Sequence, residues 1–135
     1  MTDDKSNPPN LDLIRMVQRA RMQHDADAVP SEMSGVYWIE VKPDDETRQP
    51  TPRAGFWLIE TGAGLIDGQW AVVKAATQAG KLGYKSKAST RPRGGQGGAD
   101  ARVICVCTYD RADSADVERV RSTLAELGLN PSRYE

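Results

Sequence analysis

Histidine and cysteine are scarce in this chain of 135 residues, with one His (His24) and two Cys (Cys105 and Cys107). A lone histidine leaves no Ser/His/Asp set to assemble, and no nucleophile-elbow motif occurs. Cys105 and Cys107 with His24 make too small a set for zinc, which takes four nitrogen or sulfur ligands, so neither metal nor cofactor is expected. Along one strand the two thiols sit too far apart to bridge comfortably, and within an apolar run they read as small buried hydrophobes. No apolar run approaches the roughly 18–20 residues that a spanning helix needs. The polar start, residues 1–9, lacks the apolar stretch of a secretory signal. A cytoplasmic location without a membrane partner is therefore the expectation. With 39% hydrophobic and 27% charged residues, the composition is that of a globular protein rather than a disordered tail.

Acidic residues are missing from one long stretch. Residues 68–99 carry six positive groups (Lys74, Lys81, Lys85, Lys87, Arg91 and Arg93) and no acid, whereas residues 1–67 carry 7 positive and 12 negative groups. Residues 100–135 carry 5 positive and 7 negative groups, so a chain of net charge −1 conceals a strongly basic segment. Such segregation points to local contact with an anion rather than to wholesale coating by nucleic acid.

Residues 1–9 read as a flexible tail, and 10–34 as an N-terminal helix and linker. Asn10 is the expected N-cap, and Leu11, Ile14, Val17 and Met22 lie near helical spacing. Residues 35–135 read as one α+β domain. Val36–Lys42 predicts a strand with Tyr37, Ile39 and Val41 on one face and Trp38, Glu40 and Lys42 on the other. Pro43–Pro52 is a polar loop, and Gly55–Thr61 predicts a second strand. Leu65, Ile66, Trp70, Val73 and Ala76 then recur at helical spacing.

Tyr84–Arg91 alternates, with Lys85, Lys87, Ser89 and Arg91 on one face and Tyr84, Ser86, Ala88 and Thr90 on the other. Gly94–Gly98 resembles a phosphate loop in composition only, because it lacks the lysine and the prompt helix of a P-loop, and it reads as a flexible connection. Ala101–Tyr109 is apolar on both faces, as a central strand should be. Val117, Val120, Leu124 and Leu127 define a last helix, with Asp113 or Ser114 as cap and Gly128 just past its end. Four strands with helices on one face make an α+β sandwich whose other face is open. That open face is expected to collect Trp38, Lys85, Lys87 and Arg102, with Arg91 and Arg93 close by.

Each of these features also has a plainer explanation. Basic strand residues discourage edge-to-edge pairing and keep a sheet soluble. Trp38 and Trp57 are candidate stacking platforms for a base, with the core the favoured place for Trp57, and Trp70 is expected in the core. Glu40 and Glu60, placed on neighbouring predicted strands, are a candidate carboxylate pair, although two acids on a sheet are more often simply solvated.

The run Gly55-Phe-Trp-Leu-Ile through Trp70, Lys81-Leu-Gly83 and Ser86-Lys-Ala88, then Val103–Asp110, Asp116–Arg121 and Leu127-Gly128, resembles the basophilic leukaemia expressed protein family over roughly residues 35–134. The resemblance implies a fold similar to the cap-binding translation initiation factors, a curved antiparallel sheet with helices packed on one face. Bacterial relatives are sometimes described as phosphothreonine lyases. For this chain that would imply Lys85 or Lys87 as base and Arg91, Arg93 and Arg102 on the phosphate, with no counterpart for the histidine acid. Three functions follow as expectations. The first is a small anion-binding module for RNA, a nucleotide or another phosphorylated ligand, contacted by Trp38, Lys85, Lys87, Arg91, Arg93 and Arg102. The second is a phosphothreonine lyase-like enzyme, and the third an interaction adaptor without catalysis. Nothing in the residues compels an enzyme, so binding ranks above catalysis.

Overall fold

The computed structural model describes residues 11–33, 37–45, 48–90 and 100–135. Its elements are α1 (Leu11–Asp27), a short 3-10 turn (Pro30–Glu32), β1 (Trp38–Val41), β2 (Phe56–Gly62) and α2 (Ile66–Gln78). They continue with β3 (Lys85–Ser89), β4 (Ala101–Cys107), α3 (Ser114–Glu126) and β5 (Arg133–Tyr134). The alternation of helices and strands expected from periodicity is present, with the short β5 added after the last helix. The strands form one sheet in the order β1-β3-β4-β2-β5, every neighbouring pair antiparallel. The protein is thus α+β, three helices with a five-stranded antiparallel sheet.

A period of two decides what each face of the sheet carries. Ile39 and Val41 (β1), Ala88 (β3), Ile104 and Val106 (β4) and Ile59 (β2) share one face, which packs against Ile66, Trp70 and Val73 of α2 and Val120 and Leu124 of α3. Fully burying such side chains is worth roughly 1.5–3 kcal/mol each, so this layer carries most of the stability. One polar pair is built into it. The Thr77 hydroxyl donates to Val73 O at 2.7 Å and lies 2.7 Å from the Ser86 hydroxyl, and both residues are fully buried. Trp57 and Trp70 are in this core, as their positions suggested, with the Trp57 Nε1–H donating to Val117 O at 2.9 Å.

The ends of α3 obey local chemistry. The Asp113 side chain accepts from the Asp116 N–H at 3.2 Å, and Gly128 just past the helix has φ 83°, a left-handed conformation that glycine adopts without strain.

Helix α1 departs from the amphipathic expectation. Leu11, Ile14, Val17 and Met22, the positions that defined its apolar stripe, are all exposed, and the buried residue of the helix is Asp25. Polar contacts from its C-terminal end, rather than a hydrophobic face, hold this segment in place. Asp25 Oδ2 accepts from the Glu40 N–H of β1 at 3.3 Å, while Arg21 Nε donates to Oδ1 at 3.0 Å. Lys74 Nζ of α2 donates to Ala26 O at 2.7 Å, and the Ser31 N–H and hydroxyl donate to Asp67.

Candidate anion site on the open sheet face

The second face of the sheet carries a small separate cluster of Leu58, Val103 and Cys105, with Trp38 and Phe56 packed against it. Register puts Lys85 opposite Cys107 and Lys87 opposite Cys105, so both lysines stand on this face. They lie in the interior of the sheet, because β3 is flanked by β1 and β4. Protection of an exposed edge therefore does not explain them.

Three expectations about their surroundings need correction. The patch is not free of carboxylates: Glu40 is the register partner of Lys87, and its Oε1 lies 3.7 Å from Lys85 Nζ. Trp38 is not an open platform, since Lys87 Nζ sits 4.5 Å from its ring centroid and Tyr37 meets it edge-on at 5.1 Å. Arg102 pairs with Thr61, out of phase with Val103 and Cys105, so alternation turns it to the helix-covered face. Arg91, Arg93 and the Gly94–Gly98 loop lie outside the described residues. Glu40 and Glu60 are not on neighbouring strands either, since β3 and β4 separate β1 from β2, and Glu60 instead lies 3.5 Å from Arg133.

The structure also assembles groups that sequence reasoning did not join. A cavity of about 130 Å³ opens between the segment after β1 and the start of β3, lined by Lys42, Pro43, Arg48, Gln49, Pro50, Tyr84, Lys85 and Tyr109. Arg48 lies over the Tyr109 ring, 4.2 Å from its centroid, and 3.6 Å from the Asp113 carboxylate. Tyr84 and Tyr109 stack at a tilt, with centroids 5.8 Å apart. Burial first, then the neighbouring Cys107 thiol to which it hydrogen-bonds, holds the Tyr84 hydroxyl above its ordinary range, so this ring is an uncharged wall. Burial likewise pushes the Cys107 thiol up, although Lys85 and Lys87 pull it down, which makes it a poor nucleophile.

Contacts distant in sequence hold the cavity's outer wall. The Thr51 N–H donates to Tyr109 O at 2.9 Å, and Arg53 Nε and Nη2 donate to the two carboxylate oxygens of Asp110 at 3.0 and 2.7 Å. That fork holds the Asp110 carboxyl well below the usual carboxylate range, with the Ala112 N–H as the next contributor. On the inner side, Gly83 lies so close to β4 that an added Cβ would stand 1.7 Å from Cys107 O. Glycine there lets β3 begin directly against its neighbour, which aims Tyr84 and Lys85 at the cavity.

Of the cavity's cations, alternation had already put Lys42 on the face of Trp38, and Lys85 was a named candidate. Arg48 was missed, because it is a single basic residue in an acidic, proline-bounded loop, and nothing local shows that this loop folds over β3. Among the described residues no group of three or more His, Cys, Asp or Glu is arranged to hold a metal. No described helix is long and apolar enough to cross a membrane. No curated protein matches the chain. Residues 45–134, which span the cavity's Arg48, Tyr84, Lys85 and Tyr109, match the model of the family described as basophilic leukemia-expressed protein Bles03, and the chain belongs to that family.

Proposed function

We propose that this protein is a binding module for a phosphorylated ligand, whose phosphate enters the cavity on the open sheet face. The observation that carries this reading is the convergence of Lys42, Arg48 and Lys85 on one cavity, with no carboxylate among the described residues that line it. Hydrogen bonds from cations to phosphate are short and about twice as strong as neutral ones. Among the described residues, Glu40 and Asp113 approach Lys85 and Arg48 at 3.7 and 3.6 Å through partly exposed pairs. Exposed pairs of this kind are worth roughly 0–1 kcal/mol, so an entering dianion competes with weak contacts.

The phosphates of an RNA or nucleotide fit this reading better than its bases do, because Lys87 already covers the Trp38 ring. Elimination chemistry finds no histidine acid among the described lining residues: His24 Nδ1 lies 3.3 Å from Asp25 Oδ1, beside β1.

Titration with inorganic phosphate, followed by amide NMR shifts, tests the proposal. Amides near Arg48, Lys85 and Tyr109 should shift, and Lys85→Ala should weaken binding roughly tenfold or more, the equivalent of about 1.5 kcal/mol for one charged hydrogen bond. Binding should also weaken on addition of salt. Absence of any shift, or a Lys85→Ala variant that binds as well as its parent, would sink the reading.

A further inference from the structure

The size and charge of the cavity restrict which kind of phosphate it takes, an inference that rests on the phosphate-binding reading above. Pockets that enclose a whole small molecule measure roughly 300–1,000 Å³. This one, at about 130 Å³, is smaller and open to solvent. A phosphoryl group is nearer to that size than a nucleotide with its sugar and base. Pro43 and Pro50, which have no N–H to offer, form part of the walls with the Tyr84 and Tyr109 rings. The charged contacts come from Lys42 just after β1, Arg48 from the following loop and Lys85 from the start of β3, with the Gln49 amide beside them.

We infer that the cavity recognises the terminal phosphate of a monoester and discriminates against the phosphodiester of a polynucleotide backbone. A monoester has one carbon substituent, which points out of the mouth while its remaining oxygens face the three cations. It carries about −1.5 to −2 charges near neutral pH. A diester carries one negative charge, has one fewer free oxygen to offer the cations, and must direct two substituents out of the mouth. Arg48 has the further role of presenting a planar fork that spans two phosphate oxygens, which a lysine cannot reproduce.

The test compares methyl phosphate with dimethyl phosphate by NMR titration of the full chain at neutral pH, in the parent protein and in Arg48→Lys. Methyl phosphate should bind at least tenfold more tightly than dimethyl phosphate. Arg48→Lys, which keeps the charge, should narrow that ratio while leaving the amide spectrum of the free protein otherwise intact. Equal binding of the two esters would overturn the monoester inference and leave the phosphate-binding reading standing. Binding of neither ester would overturn both.

Discussion

Ser86 occupies the β3 position between the two lysines of the open face, and its side chain points the other way, into the core against α2. Thr77 has a single hydroxyl proton, which it gives to Val73 O at 2.7 Å. The Ser86 hydroxyl, 2.7 Å from Thr77 Oγ1, must therefore be the donor in their shared bond. Thr77→Val removes the acceptor and strands the Ser86 proton in a fully buried place, a loss of about 1–3 kcal/mol. Ser86→Ala leaves the Thr77–Val73 bond in place and forfeits one ordinary hydrogen bond, about 0.5–1.5 kcal/mol. In the double variant no donor is stranded, because Val73 O keeps its place in the helix. The double loss should therefore fall short of the sum of the single losses by about 1 kcal/mol. Urea denaturation of the four proteins measures this, provided that the m-values agree. Strict additivity would refute the hydrogen bond between the two hydroxyls, a Ser86→Ala loss larger than that of Thr77→Val would refute the proton assignment, and a double variant worse than the sum would refute the claim that the pair is self-contained.

Two further predictions concern the walls of the cavity. Because the folded-state value of Asp110 lies below its ordinary 3.8, its stabilising contribution is fully present above that pH and drains away as the pH falls below it. Asp110→Asn should therefore be less stable than the parent near neutrality, with the gap closing as pH drops from about 4 toward 2 in urea melts. A gap that stays constant across that range would contradict the Arg53–Asp110 fork. Gly83→Ala puts a methyl group into the backbone of β4 and should destabilise the fold by about 1–3 kcal/mol through overpacking, with weaker phosphate binding as Tyr84 and Lys85 are displaced. Thermal melts and phosphate titration report the two effects, and an unaltered Gly83→Ala protein would contradict the close approach to Cys107.

What was legible in the sequence was what short-range chemistry determines. The alternation of Lys85 and Lys87 with Ser86 and Ala88 is a period of two in an otherwise acid-free stretch, and it assigned both faces of β3 correctly. Asp113 and Gly128 announced the ends of α3 because capping acts over three or four residues. The two-residue β5 was too short to show any period. Helix α1 misled because its apolar residues imitate a buried face, whereas Asp25, Ala26 and Ser31 fix its position through partners far along the chain. Strand order was equally hidden, and with it the separation of Glu40 from Glu60 and the face taken by Arg102. The cavity depends on bonds such as Arg53–Asp110 and Thr51–Tyr109, whose members stand more than fifty residues apart. No local pattern announces such a pairing, which is why Arg48 went unnoticed.

The carboxylate of Asp25 has one more consequence, for how copies of this molecule meet in concentrated solution. A strand at the rim of a sheet is a template on which another chain can add, and filaments grow from such templates. Here the Glu40 N–H on that rim is already engaged by a charged acceptor, which also repels the carbonyls of any incoming backbone. At the opposite rim, two residues of β5 give a newcomer almost nothing to hold. Addition of a further strand is therefore hindered at Glu40 on one rim and finds little purchase on β5 at the other.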